Sequence, residues 1–223
     1  LIYGDTDFAN FVTNVNNGPT ASASYKVGSD VSASGMTAIT TEFTGTFDGN
    51  GYTISGLEHA LFNSGNGGTV KNVILDNVNI GENENGNAGA ICCEATGDTR
   101  IYNCGVLASN STVEKDEDGY DKITSCDSSI SGSNYVGSIA GLLDGSSRVI
   151  NCFSYANVSG GSEVGGIVGH NHVATTADNL KTMVMNCLFY GEVSGTSIAP
   201  IYNGEIITND GDANGVNNFN YLD

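Results

Sequence analysis

The dipeptide Asn-Cys returns three times in the same local setting, and that repetition restricts the available folds more than any other feature of the chain. The copies read Arg100-Ile101-Tyr102-Asn103-Cys104, Arg148-Val149-Ile150-Asn151-Cys152 and Met183-Val184-Met185-Asn186-Cys187, with Thr69-Val70-Lys71-Asn72-Val73 as an earlier, cysteine-free copy. All four place an aliphatic residue two before the Asn. Successive Asn positions are 31, 48 and 35 residues apart. A second block alternates with the first. Ile80, Ile130, Val158 and Val193 each end a strand-like run, followed by Ala88-Gly89-Ala90-Ile91, Val136-Gly137-Ser138-Ile139, Val164-Gly165-Gly166-Ile167 and Ala199-Pro200-Ile201. A unit of about 30 residues with no helical periodicity cannot bury its own apolar face, so it must stack on its neighbours as a solenoid.

Three solenoid-type architectures have units of this size. A propeller blade needs four strands per repeat and a horseshoe needs a leucine-dense pattern, and neither occurs here. The remaining choice is all-β: a parallel β-helix of six to seven coils, with rungs about 4.8 Å apart and equivalent residues in columns. Val70, Ile101, Val149 and Val184 then form one inward stack. Asn72, Asn103, Asn151 and Asn186 occupy a bend, where asparagine tolerates left-handed backbone and its amide can bond to the next copy as an asparagine ladder. The 31 glycines, two prolines and absence of tryptophan suit short strands and tight turns rather than a helical bundle.

Other segments fall outside the repeat. Residues 1–20 read as an N-terminal cap with a short helix, N-capped by Asp5 or Thr6, that uses Phe8, Phe11, Val12 and Val15 to plug the first coil of a β-helix spanning 21–207. Phe43 to Leu57 alternates apolar and small residues around Asp48-Gly49-Asn50-Gly51, which predicts two early strands. Excursion loops are expected near 108–122 and 172–182, and 208–223 reads as a C-terminal tail or the start of a further segment.

The charge balance bears on partners. Twenty-five acids against seven bases leave a formal net charge of −18, which disfavours nucleic acid and anionic membranes. No run of 18 apolar residues is present, and no basic stretch followed by an apolar one opens the chain. Neither a spanning helix nor a signal peptide is predicted, as in a fragment or mature segment.

Six cysteines in a secreted protein ordinarily suggest disulfides. Cys104, Cys152 and Cys187 share one column, however, and parallel Cβ vectors suit a bridge poorly, so they read as buried free thiols. Cys93 and Cys126 are the pair left open for a bridge. No Cys-x-x-Cys or paired His spacing suggests zinc, and no cofactor is expected. Calcium is the one metal reading on offer: Asp210, Asp212 and Asn214 begin a D-x-D-x-N-G loop, but Tyr221 stands where such loops carry a bidentate Glu. His59, His170 and His172 lack a Ser or Cys partner at recognisable spacing, so no nucleophilic triad is expected. Arg100 and Arg148 occupy equivalent positions and read either as an anionic-glycan contact or as residues paired with nearby acids.

Phe43 to Leu57, the recurring Asn-Cys strands and above all Val164-Gly165-Gly166-Ile167-Val168-Gly169-His170-Asn171 resemble the GLUG-repeat proteins, bacterial surface proteins of adhesin or peptidase-associated type. The resemblance covers roughly residues 40–205. Only 164–171 match closely; the 137–141 copy carries Ser138 and Ala140, and the 89–91 copy is cut short by Cys92. It implies a right-handed parallel β-helix at the bacterial cell surface or in the secreted fraction. The resulting expectation is a non-catalytic adhesin module or structural spacer for a host or matrix glycan or protein. Tyr102, Phe153, Tyr155 and Tyr190 are the expected outward ligand surface, and end-to-end self-association is the other partner reading. Alternatives are a carbohydrate-active β-helix of lyase or glycosidase type and a self-assembling extracellular fibre subunit.

Overall fold

The structure, a computed structural model, describes residues 1–115, 117–119, 121–172, 182–204 and 219–220. Apart from one helix its elements are short strands, nearly all paired in parallel. One circuit shows the plan. From Arg148–Ile150 the chain passes to Phe153–Ser154, Asn157–Gly160, Glu163–Gly165 and Val168–Asn171, then returns at Met183–Met185 beside the strand where it began. Each circuit adds one strand to each of several sheets, giving a solenoid-like stack and no closed barrel.

The first sheet carries six strands among the described residues: Ser24–Lys26, Thr46–Asp48, Thr69–Lys71, Arg100–Tyr102, Arg148–Ile150 and Met183–Met185. The second runs alongside it from Val31–Ser32 to Phe219–Asn220. A third contains Asn79–Ile80 and Ser129–Gly132, a fourth Tyr135–Gly137 and Glu163–Gly165, and a fifth runs from Phe62–Asn66 to Tyr202–Gly204. Register follows the sequence repeat. Ile101 pairs with Val70 and Val149, and Val149 with Val184. Ile130 pairs with Ile80 and Val158, and Val158 with Val193. From the Thr46–Asp48 strand onward, the first sheet's three-residue strands bury the central side chain and turn the outer two away, as a period of two requires.

The helix, α1, spans Gly4–Asn16 and buries Phe8, Phe11, Val12 and Val15 over the first coil. Phe11 meets the rings of Tyr25, Phe47 and Phe62 at centroid distances of 4.6, 5.1 and 6.3 Å. Each buried side chain of this size contributes roughly 1.5–3 kcal/mol, which secures a helix too short to persist alone. Its N-cap is Tyr3, with no side-chain capping bond, rather than Asp5 or Thr6. The acids are used otherwise: Asp7 accepts the Tyr3 N–H at 3.0 Å, and Asp5 accepts the Ser32 N–H at 2.7 Å, fastening the helix to the second sheet.

Between the first and second sheets the chain turns through Asn72, Asn103, Asn151 and Asn186, all at φ between 53° and 56°. This left-handed conformation costs most L-residues about 1–2 kcal/mol and is tolerated by Asn. The side chains link rung to rung. Asn186 donates to Asn151 at 3.2 Å, Asn151 to Asn103 at 3.3 Å, Asn103 to Asn72 at 3.4 Å, and Asn72 to the Asp48 carboxylate at 2.9 Å. Between the fourth and fifth sheets glycine serves a different need. A Cβ on Gly169, the second residue of the Val168–Asn171 strand, would run into the Val136 N and the Gly141 O, so the two sheets meet here backbone against backbone. Beyond Val106, Thr112–Lys115 and Asp121–Ser125 form an antiparallel hairpin outside the stack. Residues 173–181, within the expected second excursion, lie outside the described residues.

Asn151→Gly keeps the left-handed turn and removes the amide contacts, whereas Asn151→Ala also imposes backbone strain. Urea denaturation should therefore find Asn151→Ala less stable by roughly 0.5–1 kcal/mol, the strain outweighing the lower chain entropy of unfolded alanine. Equal midpoints would show that the corner does not select its residue through φ.

Candidate functional site

The outward faces of the first two sheets carry the aromatic residues singled out from sequence. Phe153 and Tyr155 lie 5.9 Å apart edge to face, and Tyr155 and Tyr190 lie 5.8 Å apart. Phe153 stands in register with Gly105 on the preceding rung, and its ring occupies the space that a Cβ there would take. Tyr102 belongs to the neighbouring sheet, across the Asn103 corner, beside Ile150 in register. Three of the four aromatics are thus brought together and the fourth flanks them.

Cys104, Cys152 and Cys187 are buried and unbridged, in one column just past the Asn corner. Each thiol approaches the carbonyl two residues before it, Tyr102, Ile150 and Met185 respectively, at 3.4 Å. Burial pushes the Cys152 thiol well above the ordinary range, and its hydrogen bond to Cys104 adds to that. Cys187 rises through its hydrogen bond with Cys152 and then through burial. Cys92 rises chiefly through burial, and burial pushes Cys93 up to about 12. Cys93 and Cys126 are not bridged: Cys93 is buried in the fifth sheet, while Cys126 turns its thiol to the Ser128 carbonyl at 3.0 Å.

Asp210, Asp212 and Asn214 lie outside the described residues. Among those described, no group of three His, Cys, Asp or Glu side chains is placed to hold a metal. The acidic loop at 81–87 illustrates the alternative use of such residues. Asn83, Asn85 and Asn87 all donate side-chain N–H groups to one Glu94 oxygen at 2.8, 2.7 and 3.0 Å, so the loop folds around a carboxylate.

A second surface, over the fourth and fifth sheets, escapes the sequence reading. Tyr135 stacks on His170 at 4.5 Å, and His172 follows at 6.1 Å. His170 Nδ1 meets Glu163 at 2.6 Å, and His172 Nδ1 meets Asp144 at 3.0 Å. The signal available was that Tyr135 and Glu163 align one before the repeat's Val-Gly step, both at outward positions. Each imidazole is held by a carboxylate, but among the described residues no hydroxyl or thiol is placed on its other nitrogen to act as nucleophile.

Fold and surface together define a mostly β protein of parallel sheets in a solenoid-like stack, with several of its outer polar groups paired to one another. Residues 4–107 match the family model for the N-terminal region of M26 IgA1-specific metallo-endopeptidases. A crystal structure of a Bacteroides ovatus protein assigned as an immunoglobulin A1 protease is similar over 97% of this chain and 73% of that one, at 16% identity and a TM-score of 0.63. At that identity the likeness is one of fold. A second structure, an IgA1 protease, aligns with 94% of this chain and 22% of its own length, at 16% identity and a TM-score of 0.42. No curated protein sequence matches the chain. No helix among the described residues is long and apolar enough to cross a membrane.

The thiols give one measurement. Cys126 is the only one of the six not buried, so iodoacetamide at mildly alkaline pH should modify it alone in the native protein and all six after denaturation. Native labelling of Cys152 would mean that its column is open to solvent.

Asp48 gives another. Burial alone would raise its pKa, but the Asn72 amide, the Asn50 N–H and the charges of Lys71 and Lys26 outweigh that and hold the carboxyl below its ordinary value of 3.8. Its stabilising contribution is therefore complete above pH 3.8 and lost as pH falls through the lower folded value. The stability gap between wild type and Asp48→Asn, read from urea midpoints, should be wide at neutral pH and close under acid. A gap constant down to strong acid would rule out the carboxylate as the group responsible.

Proposed function

We propose that this chain is a non-catalytic binding or spacing module of a bacterial cell-surface or secreted, peptidase-related protein, built as a right-handed parallel β-helix of six to seven coils. The observation that carries the reading is the family match over 4–107, which is to the N-terminal region of a metallo-endopeptidase family. Two features support a binding or spacing role. The rungs form a rigid stack with most polar groups committed to one another, and the outer faces of the first two sheets carry half-exposed aromatics suited to contact with a partner. The GLUG-type adhesin resemblance points the same way.

The neighbours' names supply the first test substrate. Incubation of the purified chain with immunoglobulin A1, with and without added zinc, should leave the immunoglobulin intact by gel and mass spectrometry. Surface plasmon resonance on the same samples reports retention. Cleavage that tracks with the chain through purification would overturn the non-catalytic reading.

A further inference from the structure

The chain's few cations are unevenly distributed. Of seven Lys and Arg residues in a molecule of net charge −18, four lie at the outer positions of the first sheet: Lys26, Lys71, Arg100 and Arg148. Two acids face them. Asp48 pairs with Lys71 at 3.6 Å, and Asp98 pairs with Arg100 at 2.5 Å. Among the described residues this face carries more cations than acids on an otherwise acidic molecule.

Two of these cations form an arrangement that the fold alone does not explain. Arg100 and Arg148 are direct register partners on adjacent rungs, and like charges placed so repel. The Arg148 side chain makes no ion pair or hydrogen bond among the described residues, and its Nε is shut from solvent without an acceptor. The second oxygen of Asp98 is likewise buried and unpaired, so the nearest carboxylate does not complete the pair of guanidinium groups. A guanidinium presents a planar fork of donors that fits a carboxylate two bonds at a time. Tyr102 shares the outer face of the Arg100 rung, and Ile150 and Met185 extend its column. The outer surface therefore combines two forks with an adjoining aromatic and apolar strip.

We propose that this face binds a carboxylate-bearing oligosaccharide, its acid group bridging Arg100 and Arg148 and a sugar ring lying on Tyr102. The flat face of a stacked sheet suits a chain laid across successive rungs, whereas a peptide would seek a groove or an unpaired strand edge. The overall acidity does not forbid this: at physiological ionic strength charges are screened beyond about 8 Å, so contact groups dominate. The inference rests on the binding reading above and specifies its ligand.

Isothermal titration with trigalacturonate, sialyllactose and their carboxyl-reduced counterparts tests it, the two acidic arms separating a uronate from a sialic acid source. The wild-type chain should bind at least one acidic sugar, more weakly as salt rises, and bind the reduced forms at least tenfold less. Arg148→Gln and Arg100→Gln should each lose tenfold or more, Tyr102→Ala should weaken both sugar classes, and Lys115→Gln on the hairpin should change nothing. Arg148→Lys guards against misfolding: it keeps the charge without the fork and should retain partial binding with an unchanged melting curve. Failure of both acidic sugars to bind, equal binding of acidic and reduced forms, or unaltered binding by Arg100→Gln/Arg148→Gln overturns the proposal, as does preference for a polyglutamate peptide. A shortened oligosaccharide in the cell would instead overturn the non-catalytic reading and leave this site standing.

Discussion

Every rung depends on the hydrogen bonds it makes to the rungs on either side. Strands of two to five residues are too short to persist as isolated pairs. Stacked in register, they satisfy the backbone and bring Val70, Ile101, Val149 and Val184 into one dry column. Burial and hydrogen bonding are therefore a single cooperative event, and a slip of register would expose the column and break the amide contacts together. The helix is part of the same requirement. Without α1, the rings of Phe47 and Phe62 would meet water at the open end of the stack.

What the sequence disclosed follows from which positions are over-determined. Inward residues answer to the same neighbours on every rung, so the aliphatic and cysteine columns repeat and can be aligned by eye. Asn at the corner answers to a backbone conformation, which also repeats. Outward residues answer only to local partners. Tyr135, His170 and His172 therefore carry no period, and their stacking across two sheets cannot be read from spacing. The cap shows a finer limit: the sequence offers Asp5 or Thr6 as the helix cap, yet the Asp5 carboxylate holds the Ser32 N–H and Tyr3 takes the terminal place. Arg148 is a third case, since a basic residue in an acidic chain is expected to find a partner and only coordinates reveal that it has none among the described residues.

The committed polar groups bear on function as well. Glu94 with its three asparagines, His170 with Glu163 and His172 with Asp144 hold loops and corners in place. The surface around Arg100 and Tyr102 differs because its charges remain only partly answered.

The hairpin at 112–125 has a bearing on how such a molecule can diversify. It intervenes between rungs that still pair in register, so that Asn79 and Ser129 meet across 50 residues, whereas the next rung brings Cys126 to Tyr155 across only 29. Loop-closure entropy grows as the logarithm of length, and the longer path costs only about 0.5 kcal/mol more. New segments can thus be grafted at a corner without repacking the interior. Selection can vary what the stack displays while leaving untouched the pairing that holds its rungs together.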